Sequence, residues 1–159
     1  MIKRSLLTII AALSLGTVFA QTTVATVRTP AVSPYTVSIG GEFGTNQALH
    51  LAFSFNQLAS IGSLKLGARL GSDAFGSGGT TANADLLLQY QALPVTLYFG
   101  PGVSYQFAGA PTGGFYAGVV AGATVPIYQA IGLYGEGFYR NHFSGQSGVG
   151  ARVGLNFSL

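Results

Sequence analysis

The chain has 159 residues, of which 48% are hydrophobic and only 7% are charged, and its formal net charge is +3. A soluble domain normally carries about 25% charged residues, whereas a disordered chain is polar and poor in aromatic residues. With 24 Gly, 11 Phe and 8 Tyr the composition fits neither class, although the length fits a single domain. The absence of cysteine excludes disulfide scaffolds, thiolate metal sites and cysteine nucleophiles.

The N-terminus has the parts of a secretory signal peptide. Lys3 and Arg4 precede an uncharged, largely apolar run that ends in small residues, which predicts a signal peptide over residues 1–20, removed before Gln21. A transmembrane anchor is the alternative, but a run of about 16 residues is short for a bilayer that requires about 20. Cleavage removes two of the seven Lys and Arg and none of the four Asp and Glu, so no basic patch for nucleic acid remains.

Residues 21–34, which include Pro30 and Pro34, are predicted to form a flexible periplasmic lead-in. The alternative for Thr22–Arg28 is a ninth strand or a partial plug of a barrel. The remaining residues, 35–159, are then available for one folded domain.

Apolar and polar residues alternate in eight later segments of about 10 residues, which is the period-2 pattern of β-strands. Clusters of Gly, Ser, Asn, Thr and Pro separate these segments and predict turns. No later segment is a long unbroken apolar run, so no transmembrane helix is predicted. The predicted strands are Tyr35–Gly44, Ala48–Asn56, Gly62–Gly71, Ala82–Gln91, Val95–Phe107, Gly114–Pro126, Ile131–Arg140 and Gly148–Leu159.

One face of every predicted strand is free of charge, and the opposite face is rich in glycine and carries a few charged residues. Such alternation suits a soluble barrel or sandwich with its apolar face inward, or a membrane barrel with its apolar face toward lipid. A soluble protein would cover its polar face with Lys and Glu, whereas the interior of an eight-stranded barrel is just wide enough for side chains to fill it. The pattern therefore predicts an all-β, eight-stranded, antiparallel up-and-down transmembrane barrel over residues 35–159. A soluble secreted barrel that binds an apolar ligand is the alternative.

The inward face is predicted to hold a balanced network of charges. Its members are Glu42, Lys65, Arg69, Asp85, Glu136 and Arg152. Buried charges are costly unless they are paired, and three acids can balance three bases. In up-and-down order Arg152 would lie between Glu136 and Glu42 once the barrel closes, and the two third-strand cations would face Asp85.

Aromatic residues and connection lengths fit the same architecture, since membrane barrels carry aromatic girdles, short inner turns and longer outer loops. The connection Ser72–Thr81 is predicted to be the longest outer loop. Pro101 lies within a strand and lacks an N–H, which predicts a bulge or a bend there. The inner rim would hold Tyr35, Phe55, Tyr90 and Phe157, and the outer rim Phe43, Tyr105, Phe107, Phe115 and Tyr139.

On this pattern, residues 35–159 resemble the small eight-stranded outer-membrane barrels of the OmpA and OmpX type. The final strand, VGARVGLNFSL, is similar to the C-terminal strand that the barrel-insertion machinery reads in that family, except that Leu159 stands where those proteins commonly end in Phe. The resemblance implies an outer-membrane location and a porin-like, anchoring or adhesion-type surface protein. It also implies outer-membrane lipid and the insertion machinery as partners.

Residues with potential for catalysis or metal binding are few. His142 and Ser144 form a His-x-Ser pattern similar to that of barrel-embedded lipid A deacylases, but a serine nucleophile needs a base oriented by an acid. No acid follows Ser144, and Glu136 is the only carboxylate nearby. His50 is expected to be a hydrogen-bonded lumen histidine, because two imidazoles do not make a metal site. No catalytic residue, cofactor or metal is expected.

The sequence thus predicts a non-catalytic, monomeric outer-membrane barrel that stabilises the envelope or presents its outer loops to a surface partner. A narrow porin-like channel for small solutes is the alternative. Four aromatic rings on the inward face would either fill the lumen or form a constriction that selects solutes. They are Tyr98, Tyr116, Tyr134 and Phe138.

Overall fold

The computed structural model describes residues 33–44, 47–107, 114–143, 145 and 147–159. The predicted signal peptide and nearly all of the predicted lead-in lie outside these residues. The described residues form eight strands that pair antiparallel in chain order, and the last strand pairs with the first to close a barrel. The predicted up-and-down barrel is confirmed. The strands are β1 (Tyr35–Phe43), β2 (Ala48–Ile61), β3 (Leu64–Phe75), β4 (Thr80–Ala92), β5 (Val95–Gln106), β6 (Gly114–Tyr128), β7 (Ile131–His142) and β8 (Ser147–Ser158).

The two faces of the sheet differ in polarity in the sense expected of a membrane barrel. Large apolar side chains lie on the outside, where Leu51 is 47% exposed and Phe99 is 56% exposed. The lumen holds the charged residues, and Arg69 and Arg152 are 4% and 1% exposed. A soluble barrel has the opposite arrangement, so this exterior is the surface that a transmembrane barrel turns toward lipid. No helix among the described residues is long and apolar enough to cross a membrane.

Two register shifts interrupt the ladders of the described strands, and neither lies at Pro101. Register shifts occur in β2 between Phe55 and Ala59 and in β6 between Pro126 and Tyr128. In contrast, β4 and β5 keep one register on both sides of Pro101, so a bulge, one of the two alternatives predicted there, is wrong, and the other alternative, a bend, stays a prediction. The ladder instead omits two pairs at Gly100 and Pro101, which suits a residue that has no N–H to donate.

The connections differ at the two ends of the barrel. The three inner turns, at the end where Ser33 and Leu159 meet, have two residues each, and Gly62 adopts a left-handed φ of 61° in the first of them. The connection between β3 and β4 is only residues 76–79, because both strands extend into the segment predicted to be a loop. The longest connection joins β5 to β6 and is described only at Phe107.

The ion-paired lumen

The centre of the lumen contains a group of ion-paired side chains, here called the central cluster. It includes every Asp and Glu of the chain. Arg69, Asp85, Glu136 and Arg152 are each the sixth residue of their strands and lie near mid-height of the barrel, whereas two further members are the tenth residues of β3 and β7 and lie nearer the outer end. Its members are Glu42, Asp73, Asp85, Glu136, Arg69, Arg140 and Arg152.

Arg152 joins three carboxylates from three strands. Its Nε donates to Glu42 Oε2 at 2.9 Å and its Nη1 donates to Glu136 Oε1 at 2.9 Å. These two acids lie directly opposite Arg152 on β1 and β7, so neighbouring-strand register alone brings them together. The third partner is Asp73 on β3, whose Oδ2 accepts from Nη2 at 2.9 Å across the lumen. The guanidinium therefore links β8 to β3 on the opposite wall of the barrel.

Arg69 makes a second connection across the lumen. Its Nε donates to Asp85 Oδ2 on the neighbouring strand at 2.9 Å, and its Nη1 donates to Glu136 Oε2 on β7 at 2.6 Å. The Tyr98 hydroxyl donates to the same Glu136 oxygen at 2.8 Å. Glu136 thus accepts bonds from Arg69, Arg152 and Tyr98, and its side chain is fully buried.

Arg140 is the most exposed arginine of the cluster, with 15% of its side chain accessible. Its Nη2 lies 3.1 Å from Asp73 Oδ2 and 3.6 Å from Glu42 Oε2. Its guanidinium also lies 4.3 Å from the centroid of the Phe138 ring, and that of Arg152 lies 4.6 Å from the same ring. Cation–π contact of this kind is favourable where water is excluded. Phe138 therefore packs against both cations.

Asp73 is fully buried and is held on several sides. His50 Nδ1 lies 2.5 Å from Asp73 Oδ1, and Asn83 donates to Asp73 Oδ2 at 2.7 Å. His50 is itself 0% exposed, so it lies in the lumen and interacts with Asp73.

The predicted charge network overlaps the central cluster without matching it. The structure brings together five of its six residues, and the sixth, Lys65, lies on the lumen side opposite Gln89 and makes no ion pair with any described residue. The predicted network does not include Asp73 and Arg140, because the sequence pattern places Asp73 in a loop and Arg140 at the end of a strand. Each lies four residues beyond a predicted inward charge, Arg69 or Glu136, so period-2 alternation places it on the same face.

Below the central cluster, neutral polar side chains link several strands near the inner end. Ser38 donates to Asn156 Oδ1 at 2.6 Å, and Asn156 Nδ2 donates to Thr124 Oγ1 at 3.0 Å. Asn56 Nδ2 donates to Thr36 Oγ1 at 2.6 Å. These bonds satisfy polar groups that would otherwise be costly to bury.

Apolar side chains occupy the remaining side of the lumen. Leu87, Tyr98 and Val120 are 4%, 8% and 4% exposed and pack together with Phe138. A cavity of about 10 Å³ lies beside this group, between Phe138, Arg140 and the β5–β6 wall, and a cavity of this size holds about one water molecule. Phe138 therefore packs against both the apolar group and the arginines of the central cluster.

The His-x-Ser pattern of the sequence is only partly described. His142 lies near the outer end of β7 with its ring 4.7 Å from that of Tyr116, and Ser144 lies outside the described residues. Glu136 precedes His142 by six residues on the same strand, about 20 Å along it at about 3.3 Å per residue. The described residues contain no group of His, Asp and Glu that could hold a metal ion.

The fold and the lumen together define a small eight-stranded transmembrane barrel whose lumen holds a buried ion-paired cluster. No protein-family model and no curated protein matches the sequence. Solved structures do match. The crystal structure of the outer membrane enzyme PagL aligns with a TM-score of 0.63 at 11% identity, over 78% of this chain and 99% of that one.

Two further matches support the same fold. The N-terminal β-barrel domain of Pseudomonas aeruginosa OprF aligns with a TM-score of 0.58 at 11% identity, over 77% of this chain and 95% of that one. A de novo designed transmembrane β-barrel aligns with a TM-score of 0.59 at 14% identity, over 81% and 98%. The chain therefore has the fold of the small outer-membrane barrels, which confirms the fold-level resemblance to the OmpA and OmpX type.

Proposed function

We propose that this protein is a closed, monomeric structural barrel of the outer membrane that conducts no solutes and catalyses no reaction. The observation that carries the proposal is the pair of arginine connections across the lumen. Arg69 reaches Glu136 and Arg152 reaches Asp73 from opposite walls at 2.6 Å and 2.9 Å. A solute crossing the lumen would have to break buried ion pairs, and breaking one such pair costs about 3–5 kcal/mol.

The apolar side of the lumen supports closure as well. Tyr98 and Phe138, which the sequence allowed either to fill the lumen or to form a constriction, both pack against cluster arginines. The outer connections remain the surface through which a partner protein would be recognised. The porin-like channel is the alternative that an experiment has to exclude.

Planar-bilayer recordings test closure. We expect no stepwise conductance from the folded wild-type protein, and folding is checked by the shift in gel mobility on boiling. The matched variant carries Arg69→Ala together with Glu136→Ala, which removes one connection across the lumen without changing the net charge. Conductance gained by this variant would place the barrier at the central cluster. Stepwise conductance of the wild type would overturn the proposal in favour of the channel.

The proposed lack of catalysis rests on the position of Glu136. This carboxylate is bonded to Arg69, Arg152 and Tyr98, so it is not available to orient His142. Outer-membrane lipid incubated with the folded protein should give the same mass spectrum as lipid incubated with the His142→Gln variant. A lipid product formed by the wild type alone would contradict this part of the proposal.

A further inference from the structure

The central cluster does not involve every wall of the barrel. Its charged residues come from β1, β3, β4, β7 and β8, whereas β5 and β6 contain no Asp, Glu, Lys, Arg or His. β5 reaches the cluster through the hydroxyl of Tyr98, which donates to Glu136 at 2.8 Å. Because an ion pair needs a charge on each side, none can end on β5 or β6. Closure of the lumen in front of these two strands therefore depends on other side chains.

Glycine leaves the wall formed by β5 and β6 with little side-chain volume above Tyr98. Gly102 on β5 and Gly118 on β6 lie directly opposite each other in the ladder, and both line the cavity of about 10 Å³. Phe138 on β7 lines the same cavity and packs against Val120 of β6. An aromatic ring from the neighbouring strand therefore supplies bulk that this wall lacks.

The ring of Phe138 also extends toward β8. In the ladders this residue lies between Val120 of β6 and Gly150 of β8. The ring covers Gly150, because a Cβ added there would lie 2.9 Å from both Cε atoms of the ring. Arg140 and Arg152 contact the ring with their guanidinium groups. Phe138 thus connects the ion-paired side of the lumen with its apolar side, and the glycine beneath the ring has no side chain that could replace it.

We propose that Phe138 closes the part of the lumen in front of β5 and β6, and that small ions would pass there if its ring were removed. Hydrophobic constrictions close pores by excluding water, and ions do not cross a segment that water has left. Loss of the ring would join its volume to the cavity beside Gly102 and Gly118 while every residue of the central cluster is retained. The inference rests on the proposed closure of the wild-type barrel, and the experiment below separates the two.

Planar-bilayer recordings in KCl compare the wild type with Phe138→Ala and Phe138→Met, and folding of each protein is checked by the shift in gel mobility on boiling. We expect stepwise conductance from Phe138→Ala and none from the wild type. Phe138→Met is the matched control and should also give none, because methionine is an apolar side chain that fills irregular gaps. If Phe138→Ala gives no folded barrel, Phe138→Val is recorded in its place with the same expected result.

A second substitution on β8 tests whether the volume of the ring is what closes the path. The three atoms nearest to a Cβ added at Gly150 all belong to the Phe138 ring, so this space becomes free in Phe138→Ala. Gly150→Leu in the Phe138→Ala background should refill the space from the neighbouring strand and abolish the conductance.

The outcomes distinguish the inference from the proposed function. A folded Phe138→Ala barrel without conductance would overturn the inference and leave the proposed closure intact. Conductance that persists in the double variant would also overturn the inference, because the ions would then cross elsewhere in the barrel. Stepwise conductance of the wild type would overturn the proposed closure together with the inference that rests on it.

Discussion

Arg152 is held in the lumen by ion pairs with three carboxylates. It is 1% exposed and donates to three carboxylates, each at 2.9 Å. Burial of a guanidinium is costly, and the nearby carboxylates repay the cost only while all the partners remain. Removing the arginine would leave Glu42, Glu136 and Asp73 close together with less compensating charge.

The Arg152→Met substitution should therefore lower the free energy of unfolding by about 3–5 kcal/mol, since it breaks a buried ion pair while largely retaining side-chain volume. The chain contains no Trp, so urea unfolding in lipid vesicles is followed by circular dichroism and gel mobility. Lys65→Met is the matched control, because Lys65 makes no ion pair with a described residue, and its cost should be about 0.5 kcal/mol or less. Equal costs for the two variants would contradict the lumen assignment of Arg152.

The contacts of Arg152 show which part of the central cluster can be predicted from the sequence. Glu42 and Glu136 were predictable as its partners, because alternation determines the face and chain order determines the neighbouring strand. Its contact with Asp73 was not predictable, since that contact depends on the stagger of strands on opposite walls, and the period-2 pattern carries no information about stagger. Lys65 lies on the predicted face, yet it is too near the inner mouth to reach Asp85.

At the scale of a strand, alternation predicted all eight elements but misplaced some of their ends. Ser72–Thr81 contains small and polar residues that are typical of loops. In the barrel, Asp73 and Thr81 instead form a pair in the β3–β4 ladder, because both lie in the buried lumen. Composition predicts a loop wherever small polar residues gather, whereas a filled lumen also requires such residues within strands.

Gly100 allows β5 to approach β4 closely beside Pro101. A Cβ at this position would overlap the backbone carbonyl oxygen of Leu86 and would lie 3.2 Å from the Cα of Leu87. The Gly100→Ala substitution should therefore lower the free energy of unfolding by about 1–3 kcal/mol, as overpacking does. Urea unfolding in vesicles measures the loss.

Gly135 is the matched position for this strand-level test, because a Cβ there would meet nothing within 4 Å. Gly135→Ala should be neutral or stabilise the barrel by up to about 1 kcal/mol, since alanine has fewer unfolded conformations than glycine. If Gly100→Ala were as stable as Gly135→Ala, the close approach of β4 and β5 would be wrong.

At the scale of the whole molecule, the polarity of the two faces distinguishes a membrane barrel from a soluble barrel, which has its apolar face inward and its polar face outward. Leu86 is the seventh residue of β4, near mid-height, and is 46% exposed on the outside. It follows Asp85, which points into the lumen and bonds to Arg69. Two adjacent residues of one strand thus face an ionic interior and an apolar exterior.

This arrangement predicts that a charge introduced on the outer face destabilises the barrel by an amount that depends on its depth in the membrane. Leu86→Arg should lower the free energy of unfolding in vesicles by about 2–4 kcal/mol, because the charge would lie near the bilayer midplane, whereas the same change near an interface costs about 0–1 kcal/mol. Leu93, in the inner turn between β4 and β5 and 65% exposed, provides the interface control. Urea unfolding of Leu86→Arg and Leu93→Arg in the same vesicles compares the two depths. A soluble barrel with water around Leu86 would tolerate both substitutions equally, and that result would contradict the lipid-facing exterior.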